Sequence, residues 1–343
     1  MSEYRPRPPR PPTLREIAEA ADVHVSTASR VLRQSEPVDG WSDAALRVRR
    51  VAVELGYQRN LWAASLRTRK TTTIGVVMPR LTDGVVARIY EGVEEAARAA
   101  GYSVLLSSPP DEVRAQQEAI DFLVSRQVDG LLLSSLHLGT GASDDGVPST
   151  RVPMVQINRH VYSSLSFVAG DDTNGGQLAA QHLIDRGFRT IAVIAGPQYA
   201  STSRDRLAGF RSVLASHDIA LPAQRVIPSN FEVADGVAAA HRLLTSADRP
   251  EAIFTVTDSL AIGALGAARD LGLRVPEDLA LIGYNDIPVA AQLPVPLSTI
   301  RTPAKQIGAT GVRQLLRSIA GEEAESVRLP VELVARGSSA GRR

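Results

Sequence analysis

Six polar side chains stand directly behind short apolar runs of this 343-residue chain. Asp83 follows the run at 74–77, Asn158 and Arg159 follow 155–157, Asp258 follows Phe254-Thr255-Val256-Thr257, and Asn285-Asp286 follow Gly283-Tyr284. With Arg206, in the stretch Ser203-Arg204-Asp205-Arg206-Leu207-Ala208-Gly209-Phe210, they supply a guanidinium fork, carboxylates and amides. That set suits a ligand rich in hydroxyls, or one bearing a carboxylate or phosphate, because the fork donates paired bonds while the carboxylates and amides accept. Singly, each reads as a surface or turn residue, and Asp286 equally as a turn aspartate; as a set at strand ends they read as contacts. A second group, Ser26, Thr27, Ser29 and Arg30, combines small hydroxyls with one arginine. It lets a helix approach a polyanion closely while the arginine reaches phosphate or a base edge.

The first group needs strand ends to carry it, and the body of the chain provides them. Strands are expected at 74–77, 104–106, 130–133, 155–157, 191–194, 253–256 and 279–282. Helices are expected at about 85–100, 112–126, 179–186, 204–216, 234–245 and 260–271. Continuous apolar runs separated by helices indicate parallel sheets covered on both faces, and open sheets of that kind bind ligands at the strand carboxyl ends. The second group needs a short helix. Thr13-Leu14-Arg15-Glu16 has the form of a capping box, and Leu14, Ile17, Ala18 and Ala21 form one apolar stripe. A second helix fits 25–32, with Ala28, Val31 and Leu32 inward and Ser26, Thr27, Ser29 and Arg30 outward. A third fits 43–55, capped by Ser42 and ended by Gly56. Two short helices around a tight turn, the second with a small polar outer face, suit insertion into a major groove.

Composition narrows the classes. The chain is 44% hydrophobic and 22% charged with a net charge of +1, and it has no cysteine, which excludes disulfides and thiolate metal sites. Residues 1–70 hold 13 Arg/Lys against eight Asp/Glu, leaving 25 against 29 in the rest, a basic head on an acidic body. Residues 1–12 are rich in proline and arginine and lack the apolar region of a signal peptide, and no stretch reaches the ~18 apolar residues of a membrane helix. A cytoplasmic protein with no membrane partner is expected.

The segments "TLREIAEAADVHVSTASRVL" and "LGYQRNLWAASLRTRKTTTIGVV" resemble the lactose-repressor (LacI-type) family of bacterial regulators, and the similarity runs from residue 13 to about 337. The resemblance implies an α/β architecture: an all-helical helix-turn-helix DNA-binding domain joined to a two-lobed, periplasmic-binding-protein-like sensor with parallel sheets. The expected division is a tail at 1–12, the helix-turn-helix domain at 13–58, a hinge helix and linker at 59–71, an effector-binding and dimerisation domain at 72–337, and a tail at 338–343. Within the sensor, the first lobe is placed at about 72–168 and 299–327, and the second at 169–298 and 328–337. DNA contacts are implied at Thr13, Leu14, Val25, Ser26, Thr27, Ser29, Arg30, Asn60, Ala63, Leu66 and Arg67. Leu66 is the implied wedge that opens a central base step. Effector contacts are implied at Asp83, Val85, Val86, Asn158, Arg206, Phe231, Asp258 and Asn285. Three departures stand out: His24 where the family has a capping serine, Arg59 where it has the hinge proline, and a helix-2 to helix-3 connection about two residues longer. Val85-Val86 also replace two aromatic residues common in relatives, which favours sugars or polyols over flat bases, with Phe231 as a remaining stacking face.

The implied partners are a near-palindromic duplex DNA operator, a small-molecule effector and a second copy of the chain; no cofactor, metal or catalytic residue is expected. Two other classes share the alternating pattern. A transport or chemotaxis receptor would need export and has no use for residues 1–70. A nucleotide-dependent enzyme would need a phosphate loop, but the first strand is followed by Met78-Pro79-Arg80-Leu81 and no G-x-x-x-x-G-K-[ST] occurs.

Overall fold

The computed structural model describes residue 10 and residues 12–32, 41–57, 70–137, 150–161 and 165–340. It divides into two compact units, Met1–Thr71 and Thr72–Arg343. No helix among the described residues is long and apolar enough to cross a membrane.

The first unit holds α1 (Leu14–Ala20), α2 (Val25–Val31) and α3 (Asp43–Glu54). The capping box at its start is formed: the Glu16 amide donates to Thr13 Oγ1 at 3.3 Å and the Thr13 amide to Glu16 Oε2 at 2.6 Å. Two orphan amides of the first turn are thereby satisfied. His24 caps α2, its Nδ1 accepting from the Ser26 amide at 3.3 Å, so the departure from serine costs the helix no cap. Ser42 occupies the cap position of α3 but its side chain makes no capping bond. Ile17, Ala18, Ala21, Ala28, Val31, Ala45, Val48 and Ala52 form the core, and Asp22 turns the chain between α1 and α2 in the left-handed region at φ 51°.

The second unit is built on two six-stranded sheets. The first is ordered β11-β5-β4-β3-β1-β2, with β1 (Thr73–Val77), β2 (Ser103–Ser107), β3 (Gly130–Leu133), β4 (Met154–Ile157), β5 (Phe167–Gly170) and β11 (Val327–Leu329) all parallel. The second is ordered β12-β10-β9-β8-β6-β7, from β6 (Ile191–Ala195), β7 (Val226–Pro228), β8 (Ala252–Thr255), β9 (Ala280–Asn285), β10 (Ser298–Arg301) and β12 (Glu332–Val334); only β12 runs antiparallel. Central strands such as β3, β6 and β8 are buried along their whole length, as continuous apolar runs require when both faces are covered.

The helices of this unit are α4 (Gly84–Ala99), α5 (Val113–Ser125), α6 (Asp172–Asp185), α7 (Ser201–Ser216), α8 (Val233–Leu244), α9 (Asp258–Asp270) and α10 (Ala304–Ile319). The α6–α7 crossing is close, because a Cβ on Gly176 would overlap the Arg206 carbonyl and one on Gly209 the Thr173 carbonyl. Two glycines in register let the backbones meet and set Arg206 on α7 against the amino end of α6.

The structure departs from the sequence reading in several places. Strands β5, β7 and β10 and helix α10 were not among the expected elements. Helix α6 begins at Asp172, seven residues before the expected 179, because Gly175 and Gly176 interrupt the apolar stripe without breaking the helix. Residues 299–301, expected in the first lobe, pair with β9 in the second sheet; the chain returns to the first lobe only after Arg301, crosses back as β11 leaves the first sheet, and reaches the second again in β12.

Candidate functional site

Each sheet reverses its winding beside its first strand, between β1 and β3 in one and between β6 and β8 in the other. Open α/β sheets bind ligands in the crevice at such switch points, outside the strand carboxyl ends. The two crevices face each other across one narrow cavity. The first lobe contributes Pro79, Arg80, Asp83, Val85, Val86, Ser134, Asn158 and Arg159; the second contributes Thr202, Arg206, Phe231, Thr257 and Asn285.

Arg206, 3% exposed, is the most constrained of these. Its Nε donates to Asp172 Oδ1 at 2.8 Å, its Nη1 to the Val256 carbonyl at 2.7 Å, and its plane lies 3.6 Å from the centre of the Tyr284 ring. Burial works against its charge, but Asp172 and Tyr284 together outweigh it and raise its pKa. Arg159 gives one nitrogen, Nη1, to both oxygens of Asp111, at 3.0 and 2.8 Å. Arg80 pairs with Glu232 at 2.9 Å and lies 3.9 Å from Asp83. Both Arg80 and Arg159 sit over Phe231, 5.2 and 5.3 Å from its centroid. Asp83 caps α4 by accepting from the Val85 amide at 3.2 Å, and burial pushes its carboxyl above the usual range.

Three cavity residues at or near the carboxyl ends of their strands hold backbones with positive φ: Arg80 at 61°, Asn158 at 65° and Asn285 at 111°. Such conformations cost non-glycine residues energy and cluster where a side chain must be aimed at a ligand.

Of the eight implied effector contacts, Asp83, Val85, Val86, Asn158, Arg206, Phe231 and Asn285 line the cavity, and Asp258 does not. As the first residue of α9, Asp258 turns away, accepting from the Thr299 hydroxyl at 2.6 Å and the Ile287 amide at 2.8 Å. It anchors the loop behind Asn285, and its neighbour Thr257, the cap of α9, lines the cavity instead. Arg80, Ser134, Thr202 and Thr257 were missed as contacts. Asp286 lies outside the cavity, where it accepts from Arg301 and Arg336.

In the first unit, Thr13, Ser26 and Arg30 are exposed, Leu14, Thr27 and Ser29 half-buried, and Val25 is 38% exposed. Thr27 and Ser29 are therefore less outward than the helical pattern suggested, since a helix of only seven residues turns its flanks toward α1 and α3. Asn60, Ala63, Leu66 and Arg67 lie outside the described residues. Among the described residues, no group of three His, Cys, Asp or Glu could hold a metal ion.

Residues 13–60 match the model of the bacterial regulatory proteins, lacI family, and residues 180–339 that of the periplasmic binding protein-like domain. Over 309 residues the chain is 33% identical to the ribose operon repressor of Haemophilus influenzae, covering 90% of this chain and 92% of that one. Among solved structures, it is similar to the lac repressor dimer bound to operator and the anti-inducer ONPF, with a TM-score of 0.86 at 28% identity over 96% of this chain and 99% of that one. It is also similar to the transcriptional regulator CelR–cellobiose complex, with a TM-score of 0.71 at 33% identity over 95% of this chain and 99% of that one. The chain belongs to the lacI family of bacterial regulatory proteins.

Proposed function

We propose that this protein is a sequence-specific DNA-binding transcription repressor, acting in the cytoplasm as a homodimer on a near-palindromic operator, and that a neutral sugar or polyol bound between its lobes sets its hold on DNA. The reading is of a binding protein rather than an enzyme. Two chains present two copies of α2, and two-fold symmetry in the protein calls for two-fold symmetry in the site. Ser26 and Arg30 on the exposed face of α2 are the base and phosphate contacts; Leu66, by the resemblance, is the wedge between base pairs.

The observation that carries the ligand class is charge balance in the cavity. Each lining guanidinium already faces a carboxylate: Arg206 faces Asp172, Arg159 faces Asp111, and Arg80 faces Glu232 and Asp83. The remaining polar lining is neutral, from Ser134, Asn158, Thr202, Thr257 and Asn285, while Phe231, Val85 and Val86 supply an apolar wall. An anion would find no uncompensated cation there, whereas a ring of hydroxyls finds fixed donors and acceptors around an apolar face. The ribose and cellobiose named for relatives are of that class.

Ligand binding changes operator affinity only through its differential affinity for two lobe arrangements, a coupling of about 1–3 kcal/mol or roughly 5–150-fold. The test selects duplexes from a random pool with the full chain, then titrates the selected site in the presence of D-ribose, cellobiose, polyols and ribose 5-phosphate. Enrichment of a near-palindrome, with a response to a neutral compound, is expected. No sequence preference would overturn the DNA reading, and a response only to the phosphate ester would overturn the neutral-ligand reading.

A further inference from the structure

Beside the cavity, Asp111 collects four partners. Arg159 Nη1 donates to both its oxygens, His137 Nε2 lies 2.9 Å from Oδ1, Gln116 Nε2 donates to Oδ1 at 3.1 Å, and the Tyr199 hydroxyl donates to Oδ2 at 3.4 Å. The Tyr199 ring also stacks on His137, with centroids 3.9 Å apart and planes 17° from parallel. Arg159 lies 5.8 Å from the centre of that ring. Asp111, Gln116, His137 and Arg159 follow strands of the first sheet, but Tyr199 follows β6 of the second. The cluster therefore spans the two lobes. It is also sheltered, since His137 and Arg159 side chains are each 7% exposed and Asp111 13%.

Other polar contacts cross between the lobes, among them the Arg88 guanidinium to the Asp286 carbonyl at 3.5 Å. The Arg80–Glu232 pair has its acid 62% exposed, which leaves it screened by water. The His160 amide donates to Ser201 Oγ at 3.0 Å in a buried setting. None of these three touches Arg159; from the second lobe Phe231 lies under its guanidinium, and the Asp111 cluster holds it by hydrogen bonds. Asp111 occupies only Nη1 of Arg159 and so holds the guanidinium by one corner, against the cavity wall beside Phe231.

We infer that Asp111 and Tyr199 are positioning residues: Asp111 aims Arg159 into the cavity, and Tyr199 ties that assembly to the second lobe, so that donor placement and closure of the cleft occur together. The carboxylate suits the role. Burial raises its pKa, but the His137 hydrogen bond and the Arg159 guanidinium hold it at about 2, so it stays ionised at any physiological pH. Tyr199 supplies a flat apolar face and a polar tip to one partner each, and separating the lobes breaks both contacts at once. The inference extends the ligand-cleft reading, but closure itself is measurable with no ligand added.

The chain has no cysteine, so a label pair can be placed without background. Arg114→Cys at the rim of the first lobe and Asn230→Cys at the rim of the second are both exposed. Spin-labelled full-length protein, diluted into excess unlabelled protein so that only intrachain pairs are read, gives the distance distribution across the cleft mouth. The parent pair should show a narrow, short-distance population. Tyr199→Ala and Asp111→Ala should each move it to longer distances and broaden it. Tyr199→Phe, which keeps the stack and loses the hydroxyl, should fall between, and in an Asp111→Ala background it should add nothing. Circular dichroism melts identify any unfolded variant, in which case the conservative Tyr199→Phe decides. Distributions in Tyr199→Ala and Tyr199→Phe that superimpose on the parent would overturn the inference. Addition of D-ribose to the same samples tests the ligand reading separately, because a null sugar response leaves the ligand-free comparison intact.

Discussion

Replacing Arg206 by alanine strands one of the most deeply buried charges in the sensor. Asp172 and Arg206 side chains are each 3% exposed and meet at 2.8 Å, and the guanidinium also serves the Val256 carbonyl and the Tyr284 ring. Removing one partner of a buried pair costs about 3–5 kcal/mol, most of it the penalty of an uncompensated charge rather than the worth of the pair. For a unit of this size that lowers the melting temperature on the order of 10 °C. The pH dependence identifies the cause. Burial already raises the Asp172 pKa, and removal of the arginine takes away its main opposing influence. A carboxyl whose folded pKa stands above its unfolded value makes the protein more stable as pH falls through the folded pKa, so the deficit against wild type should shrink as the solution is acidified. Arg206→Met combined with Asp172→Leu, which removes both charges and keeps bulk, should recover most of the loss. Urea melts across pH 5 to 8, with operator affinity and ligand response measured alongside, provide the assay. Operator binding should survive at temperatures where the variant is folded, and the ligand response should vanish. A destabilisation under about 1 kcal/mol, or one that ignores pH, would refute the claim that the pair is desolvated. A normal ligand response would remove Arg206 from the site.

Other outcomes follow from separate parts of the chain. Leu66→Ala should weaken operator binding strongly in an anisotropy titration while leaving ligand affinity nearly intact, since the wedge offsets base unstacking only when DNA is bound. Asp258→Asn should flatten the pH dependence of stability: burial raises the Asp258 carboxyl to about 7, so wild type gains stability on this group's account as pH falls through about 7, and the amide cannot. Urea midpoints for the two proteins at pH 8 and pH 5.5 measure the difference. Thr13→Ala removes one half of the capping box and should destabilise α1 by about 1 kcal/mol, read as faster amide exchange in 14–20.

Much of the fold was legible because its central strands are short, continuous apolar runs bounded by helices, and burial on both faces leaves no alternation to confuse them. What stayed hidden was short or internally paired. β5, Phe-Val-Ala-Gly, and β7, Val-Ile-Pro, lack a continuous run of large apolar residues, and β7 is held in place by β6, far earlier in the chain. The start of α6 was obscured by two glycines whose role is to admit the backbone of α7, a tertiary requirement that lowers local helix propensity. The returning segment at 298–301 belongs to the second sheet because its hydrogen bonds go to β9, a choice that apolar content alone does not settle.

The site shows the same division at the scale of single residues. Strand ends pointed to Asp83, Asn158 and Asn285, and the rule works because the carboxyl ends of both sheets converge on one crevice. It led to Asp258, the charged residue after the run ending at Thr257, which the family resemblance also implies. Yet β8 ends at Thr255, which makes Thr257 the helix cap facing the crevice and Asp258 the first helical residue, rotated behind it. The same rule, applied to the residues nearest β1, would have found Arg80, whose left-handed backbone folds its side chain back over Phe231. Thr202 was lost to a helix start placed three residues late. Composition at a strand end thus marks where a ligand goes, while the helical phase of the next element decides which side chain meets it. In this chain that phase sends the Asp258 carboxylate away from the cavity to brace the Asn285 loop. The cavity is left with guanidiniums already neutralised and a ring of uncharged polar groups, and that residue-by-residue sorting, rather than the fold, is what argues for a ligand without charge.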